Sequence, residues 1–270
     1  MEGAKKENSV NVVEREKLFH DDFYERAFLS HAKFNFQVPT VWIERGENPS
    51  SRPLDCWEYA FYLLGNPRGK KVAEFGCGDG WITTCLSSAG GNVFAFDISR
   101  SGCRLTREKL KAHGLSAGLV AVMDAHTTAF KSSSFDAVFV AGVLHHLDIN
   151  QVSREVHRIL KKDGIMVCYE PLKYGPFMWT IRRIWLYLNG KKEYVWTDDE
   201  KPFDLKDFAP FKNIFQSNLI RSFNFVAKTN RLKRRFGPLA NFLRWTDYLI
   251  LSVFPIFQRN CTCVVCRFKK

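Results

Sequence analysis

Three glycines at alternate positions follow a short apolar run in the stretch VAEFGCGDGW, residues 72–81. A turn of this kind lets the backbone approach a bound cofactor closely. The dinucleotide fingerprint G-x-G-x-x-G has its third glycine one residue later than Gly80, and a P-loop requires Lys followed by Ser or Thr. Glu74 ends the preceding run, where its carboxylate repels a pyrophosphate and attracts a positive ligand. The stretch therefore favours a cationic cofactor with a single nucleoside.

Two further acidic residues end the next two apolar runs. Asp97 closes NVFAFD and Asp124 closes VAVMD. Because the carboxyl ends of parallel strands meet at one edge of a sheet, these carboxylates and Glu74 are expected to share a site. Asp97 suits the two ribose hydroxyls of any nucleoside cofactor, and Asp124 is placed for the adenine amine. S-adenosylmethionine (SAM), which carries an ammonium and a sulfonium, fits all three carboxylates.

The elements that position these residues alternate between strand and helix. Short apolar runs separated by amphipathic segments predict a parallel α/β sheet with helices on both faces. We also predict helices at about residues 12–31 and 55–64, and an amphipathic helix over VSREVHRILKKDG that continues to Gly164. The predicted strands are KVAEFG, NVFAFDIS, GLVAVMDA, SFDAVFVA, IMVCYEPL, a sixth within 218–228, and CTCVVCRF near the C-terminus.

The motifs together resemble a known family. KVAEFGCGDGW, FAFDIS, VMDAH, SFDAVFVAGVLHHL and EVHRILKKDGIMVCYEP resemble the successive motifs of class I SAM-dependent methyltransferases. They are most similar to the type 11 group, which includes the ubiquinone and menaquinone methyltransferases. The resemblance implies a Rossmann-like three-layer α/β sandwich with a helical cap. Its seven-stranded, mostly parallel sheet would hold CTCVVCRF as an antiparallel strand 7 beside strand 6.

The resemblance covers about residues 70–170 and implies a division of the chain. We expect an N-terminal helical cap at 1–69, a SAM-binding core at 70–171, an acceptor-binding region with strand 6 at 172–257, and strand 7 at 258–270. Glu74 stands where the family commonly has Asp, a conservative departure. Carried over by position, the cofactor-binding residues are Glu74, Gly76, Cys77, Gly78, Asp79, Gly80, Trp81, Asp97, Ile98, Asp124, Ala125, Ala141 and Gly142.

Methyl transfer from a sulfonium needs a general base only if the acceptor loses a proton. The candidates are His145 and His146 after the fourth strand, Glu170 at the end of the fifth, and His20 if the N-terminal helix folds over the site. Histidine titrates near neutral pH and suits that role. The alternative is that VLHHL is structural, with one imidazole packed on the cofactor.

Absent motifs narrow the acceptor. Enzymes that methylate amino groups of DNA carry Asn/Asp-Pro-Pro-aromatic after strand four, where this chain reads AGVLHH, and the Pro-Cys nucleophile used on cytosine is missing. No paired Asp/Asn pattern indicates a catalytic metal, and the C-x-C-x-x-C of Cys261, Cys263 and Cys266 lacks a fourth zinc ligand. The sequence predicts methylation of oxygen, carbon or nitrogen in a small molecule, without a metal.

Charge is distributed unevenly along the chain. Residues 1–170 carry 21 basic and 21 acidic residues, whereas residues 171–270 carry 19 and 7, so the net charge of +12 arises in the last hundred residues. The basic stretch 228–237 precedes an apolar one that runs to 257. This order favours a lipophilic acceptor with an anionic head (isoprenoid, quinone, lipid or glycolipid) or contact with an acidic membrane surface. The alternative is a cap helix packed on the sheet.

Two other functions stay open. An RNA-modifying methyltransferase would use the basic region, but no RNA-binding module is recognisable and we expect no nucleic-acid partner. A non-catalytic SAM-binding partner protein would typically have a damaged glycine turn. The N-terminus lacks an apolar signal segment, no apolar stretch reaches about 18 residues, and the eight cysteines are scattered. These features predict a cytoplasmic protein with, at most, peripheral membrane contact.

Overall fold

A computed structural model describes residues 14–26, 54–173, 175, 180, 187–188, 203–225 and 237–270. The basic residues 228–236 and most of 174–202 lie outside this part of the chain. In the described part, no helix combines the length and apolar character needed to cross a membrane.

The described elements follow the predicted alternation. Helices α1 and α2 precede the first strand, and strands and helices then alternate to β5 except between β3 and β4, which a loop connects. The strands are β1 (Lys71–Phe75), β2 (Asn92–Asp97), β3 (Leu119–Val122), β4 (Phe135–Ala141), β5 (Leu160–Pro171), β6 (Ser217–Phe223) and β7 (Cys263–Lys269). The helices are α1 (14–26), α2 (Cys56–Leu64), α3 (Trp81–Ser88), α4 (Arg100–Ala112), α5 (Ile149–Ile159), α6 (Ala209–Ile214) and α7 (Gly237–Val253).

The seven strands form one sheet in the order β3-β2-β1-β4-β5-β7-β6. The pairs β1–β2, β1–β4, β2–β3 and β4–β5 are parallel, whereas β7 pairs antiparallel with both β5 and β6. The predicted Rossmann-like sheet, with an antiparallel last strand next to strand six, is confirmed. Because these four strands run parallel to one another, their carboxyl ends share one edge of the sheet.

Side chains of the central strands alternate between two apolar layers. Along β4, Val138 and Val140 face a core that includes α5, while Ala137 and Phe139 face a core that includes α2 and α3. All four are buried. Burial on both faces explains why these strands read as continuous apolar runs in the sequence. Helix α2, which the sequence assigned to the N-terminal cap, packs on β5 and β7 within the second layer.

One helix is shorter than predicted. Helix α5 ends at Ile159, whereas the amphipathic pattern continues to Gly164. Leu160 adopts an extended conformation (φ −69°, ψ 139°) and pairs with Phe135 at the start of β4. The Lys161 ammonium then reaches the Asp136 carboxylate at 2.7 Å. Pairing with β4 therefore ends the helix, an interaction that local periodicity does not report.

A phenylalanine cluster packs around Phe268 of β7. The Phe268 ring lies 5.3 Å from that of Phe211, 5.7 Å from that of Phe208 and 5.8 Å from that of Phe215, and Phe268 is fully buried. Tilted and edge-on aromatic pairs at such distances stabilise a core beyond the area they bury.

The first testable prediction concerns this cluster. Phe268→Ala removes the ring that three others contact, and we expect it to lower the free energy of unfolding by about 3–5 kcal/mol. Leu219→Ala on β6, where the side chain is 45% exposed, is the control, with an expected loss of about 1 kcal/mol or less. Urea unfolding followed by circular dichroism measures both. Equal losses for the two variants would contradict the packing described.

Candidate functional site

The carboxyl edge of the sheet opens onto a cavity of about 750 Å³, counting its open mouth. Its wall combines the ends of β1, β2 and β4, the segment after β3 and one face of α1. Nine of the predicted site residues lie together in this wall: His20, Gly76, Asp97, Ile98, Asp124, Ala125, Ala141, Gly142 and His146.

The glycine turn is held against β2 and crowded by two helices. The backbone amides of Gly76 and Cys77 both donate to the Phe96 carbonyl at 2.9 Å. A Cβ on Gly80 would lie 2.8 Å from the Thr106 Cα of α4, and φ at Gly80 is +77°. A Cβ on Gly78 would lie 2.5 Å from the Tyr24 hydroxyl of α1. Close packing therefore requires glycine at both positions.

The other predicted residues of the turn do not line the cavity. Cys77 is buried beneath the turn. The Asp79 carboxylate faces α4 and pairs with the Lys109 ammonium at 2.8 Å. Trp81 begins α3 and packs edge-on against Trp57, with ring centroids 4.7 Å apart. These three side chains therefore pack on the side of the turn that faces away from the cavity.

Glu74 lies behind the same turn. Its carboxyl group is buried at 2% exposure and accepts a 2.6 Å hydrogen bond from the Thr83 hydroxyl of α3. Burial raises the pKa of Glu74 to about 8, and the charges of Asp79 and Asp97 add to the rise. Glu74 is not among the residues that line the cavity. A positively charged group near Glu74 would lower the free-energy cost of burying its ionised carboxylate.

Asp97 ends β2 and faces the cavity. Its two oxygens accept hydrogen bonds from the backbone amides of Gly78 (2.9 Å) and Ser99 (2.8 Å). Burial raises the pKa of Asp97, and these two bonds oppose the rise. Each carboxylate oxygen has a second lone pair. The arrangement therefore offers two further acceptor positions in a fixed orientation.

Asp124 is oriented by a histidine that sequence analysis did not single out. His126 Nδ1 lies 2.7 Å from Asp124 Oδ1, and the backbone amide of Asp148 donates to His126 Nε2 at 3.0 Å. Since Nε2 accepts, Nδ1 carries the proton and donates to Asp124. The hydrogen bond from His126 holds the pKa of Asp124 below its usual value. The motif VMDAH contained this histidine, but its contact with Asp148 depends on the fold.

Helix α1 covers the cavity with the side chains of Glu16, His20 and Tyr24, which are four residues apart and share one face. The helix is docked through Asp21, whose carboxylate accepts from the Ser99 hydroxyl at 2.6 Å and the Ser101 amide at 3.0 Å. An acidic side chain at the N-terminus of α4 is stabilising. Glu16 and Tyr24 were missed because their spacing predicted only a helical face.

Two histidines bracket the Glu16 carboxylate. Glu16 Oε2 lies 3.4 Å from His20 Nε2 and 3.1 Å from His146 Nδ1. Burial raises the pKa of Glu16, but the hydrogen bonds and charges of the two histidines outweigh it and lower the pKa to about 2. Glu16 is therefore ionised at neutral pH and lines the cavity.

Glu170 and His145 have their side chains away from the cavity. Glu170 is fully buried; its Oε1 accepts from the amides of Val143 (2.9 Å) and Leu144 (2.8 Å), and its Oε2 lies 2.8 Å from His145 Nδ1. This carboxylate thus holds the loop after β4 in place. His146, the next residue in that loop, is the one that reaches the cavity wall.

The three C-terminal cysteines do not converge. Cys263 faces the apolar layer of α2 and α3, whereas Cys261 and Cys266 face the opposite layer. All three are buried and reduced. They pack as small apolar side chains within the sheet.

The charge of the cavity wall has one sign. Glu16, Asp97 and Asp124 contribute carboxylates, and none of the described lining residues is Lys or Arg. The cavity wall is therefore negative although the protein is basic overall. Such a site attracts a ligand that carries positive charge.

Comparison with known proteins identifies the domain. Residues 73–168 match the type 11 family described as a methyltransferase domain. Demethylmenaquinone methyltransferase of Geobacillus stearothermophilus is 30% identical over 149 residues, which are 49% of this chain and 63% of that protein. The mitochondrial 2-methoxy-6-polyprenyl-1,4-benzoquinol methylase of Bos taurus is 33% identical over 86 residues, 31% of this chain and 26% of that protein. The chain thus covers less than two thirds of either relative.

A solved structure shares the fold. Geranyl diphosphate C-methyltransferase from Streptomyces coelicolor, in complex with Mg²⁺, geranyl diphosphate and S-adenosyl-L-homocysteine, has a TM-score of 0.52 to this chain at 14% identity. The match covers 78% of this chain and 75% of that one. Within residues 73–168 the chain therefore matches a methyltransferase domain of the type 11 group, a SAM-dependent family.

Proposed function

We propose that this protein transfers the methyl group of SAM to an oxygen, carbon or nitrogen atom of a small, lipophilic acceptor. The observation that carries the proposal is the negative cavity at the carboxyl edge of the sheet, beside an intact glycine turn. In this proposal Asp97 and Ile98 hold the ribose and adenine, and Asp124 and Ala125 bind the adenine edge. The methionine portion lies along Gly76, Ala141 and Gly142.

Glu74 acts on the cofactor from behind the turn. SAM brings an ammonium and a sulfonium toward a region where the negative charges of Asp79 and Asp97 disfavour ionisation of Glu74. Binding a cation there favours the ionised form of Glu74. The cost of burying these carboxylates in the free protein is thereby offset when the cofactor is bound.

The reaction is an in-line displacement in which the acceptor atom bonds to the methyl carbon as the carbon–sulfur bond breaks, leaving S-adenosylhomocysteine. The cofactor supplies the reactivity, and the protein aligns the two partners. If the acceptor is a hydroxyl or an activated carbon, a proton must leave it. His146 and His20 line the cavity and are the candidates to accept that proton, whereas Glu170 and His145 position the loop that carries His146.

A lipophilic acceptor is supported by two observations. The two curated relatives described above are named for quinone substrates. In addition, the burial of side chains along α7 is the reverse of the usual pattern. Arg244 and Asp247 are buried, whereas Phe242, Trp245 and Leu249 are 42–64% exposed. An exposed apolar helix face fits an apolar partner.

We propose that this partner is the surface of an anionic membrane. The apolar face of α7 (Phe242, Trp245, Leu249 and Val253) is preceded in the chain by a basic stretch at 228–236. Lys and Arg next to an apolar helix face match acidic headgroups above an acyl layer. A cytoplasmic protein docked in this way would meet a lipophilic acceptor where such molecules are dissolved.

Loss of the Asp97 carboxylate tests the cofactor site. We expect Asp97→Ala to weaken SAM binding by about 10- to 100-fold, because charge-assisted hydrogen bonds to a ligand contribute about 1.5–3 kcal/mol. Asp136→Ala removes a carboxylate at the opposite edge of the sheet and is the control. Isothermal titration calorimetry with SAM measures both. If SAM fails to bind, or binds Asp97→Ala as tightly as the wild type, the proposed activity is wrong.

The raised pKa of Glu74 predicts proton release on SAM binding. Below about pH 8 the free protein holds Glu74 protonated, and a bound cation lowers its pKa. Binding must then release a proton, so affinity should rise with pH between about 6 and 7.5. Calorimetry at pH 7 in two buffers of different ionisation enthalpy measures the release. Glu74→Gln should abolish it, and an unchanged release in that variant would contradict the role given to Glu74.

The membrane proposal has its own test. We expect the protein to sediment with phosphatidylserine-containing vesicles and not with neutral vesicles at physiological salt, because the basic stretch supplies electrostatic attraction. Trp245→Ser combined with Leu249→Ser should reduce binding to the acidic vesicles by about 10-fold or more. Leu219→Ser, on the exposed face of β6, is the matched control. Equal sedimentation of all three proteins would refute docking through α7.

A further inference from the structure

We infer that Glu16, His20 and His146 form a binding site for a divalent transition-metal ion at the wall of the cofactor cavity. Sequence analysis predicted no metal for this chain. The inference depends only on these three side chains and goes beyond the proposed methyl transfer. It is testable without SAM and without a known acceptor.

The distances between the three groups are those of a coordination sphere. One ligand atom from each residue can be chosen so that all three lie within 4.8 Å of one another. Glu16 Oε2 is 3.4 Å from His20 Nε2 and 3.1 Å from His146 Nδ1. Ligand atoms about 2.0–2.2 Å from a zinc ion are separated from each other by about 3.0–3.5 Å. An ion therefore needs only small side-chain adjustments to bind.

Both elements that carry the ligands are anchored independently of an ion. Glu16 and His20 are four residues apart on α1, so they project from one helix face. Asp21 fixes that helix to Ser99 and Ser101 at the start of α4. His146 belongs to the loop that Glu170 holds through backbone amides. The site is thus assembled by the fold, as a preorganised metal site must be.

Burial separates this group from a surface cluster of polar residues. The side chains of Glu16, His146 and His20 are 9%, 13% and 22% exposed. The rings of His20 and His146 stand almost perpendicular, at 86°, with centroids 5.2 Å apart. All three residues also line the cavity. The protein would shield an ion bound among them from bulk water on one side, and the ion would be accessible from the cavity on the other.

The donor set selects the class of metal. Two imidazoles and one carboxylate favour Zn²⁺, Fe²⁺, Co²⁺ or Ni²⁺ over Mg²⁺ and Ca²⁺, which prefer oxygen donors. Three protein ligands leave at least one coordination position free, as in catalytic metal sites. That position faces the cavity, where a water molecule or an oxygen atom of a small molecule can occupy it. A metal here would orient an oxygen-bearing acceptor next to the cofactor.

The other two histidines near the cavity have different partners. His126 is held between Asp124 and the Asp148 amide, and His145 is held by Glu170. Only the three inferred ligands form a group with metal-binding geometry within the described part of the chain. His157, on α5, packs against Phe215 and provides a control histidine outside the cavity.

The test uses the full-length protein without an affinity tag, treated with a chelator and then dialysed. Titration with Co²⁺ should produce visible d–d absorption that saturates at one ion per chain, and Zn²⁺ should displace the Co²⁺. His20→Ala, His146→Ala and Glu16→Gln should each weaken Co²⁺ binding by at least about 10-fold, because even outer hydrogen bonds to metal ligands contribute 10- to 100-fold. His157→Ala should bind as the wild type does.

The wild-type titration decides the question even if a variant fails to fold. Absence of saturable Co²⁺ absorption in the wild type would overturn the inference, as would unchanged affinity in His20→Ala and His146→Ala. Calorimetry with SAM on the same metal-free protein keeps the two proposals distinct, because loss of SAM binding contradicts the methyl transfer and leaves the metal site standing.

Discussion

The Asp97 carboxylate joins three segments of the chain, and the geometry of the site depends on it. Through Gly78 it holds the glycine turn that follows β1, and through Ser99 it holds the start of α4. The Ser99 hydroxyl in turn donates to Asp21 of α1. One buried carboxylate therefore sets the distance between the turn, the helix after β2 and the helix over the cavity. Because its own burial is costly, these backbone donors are needed to keep it in place.

The parallel sheet and its carboxyl edge were predictable from sequence because the signals are local. Apolar runs bounded by Gly, Asp and Ser mark the strands, and the register of Asp97 and Asp124 follows from where those runs end. The end of α5 was not predictable, since pairing of Leu160 with Phe135 outweighs an amphipathic pattern. The contacts of α1 were not predictable from the sequence either. They join Asp21 to Ser99 across 78 positions, and no local pattern indicates such a pairing.

The candidate bases illustrate the same limit. His145 and His146 are adjacent in sequence and chemically identical, yet one ring is held by Glu170 behind the loop and the other lines the cavity. Glu170 ends a strand at the correct edge, which made it a reasonable candidate. The structure buries its carboxyl group completely and bonds it to two loop amides, away from the cavity. Proximity to a site in sequence therefore does not separate a reacting group from a supporting one.

The uneven charge along the chain contrasts with the charge of the cavity wall. The cavity wall is negative, because its carboxylates have no Lys or Arg among the described lining residues, whereas the excess positive charge belongs to the last hundred residues. The cationic cofactor and the proposed anionic membrane surface would thereby be attracted to different parts of one small protein. Glu16 adds negative charge to the cavity wall and lies between two histidines. A cation at that point would neutralise the Glu16 carboxylate and leave Asp97 and Asp124 as the negative charges of the cavity wall.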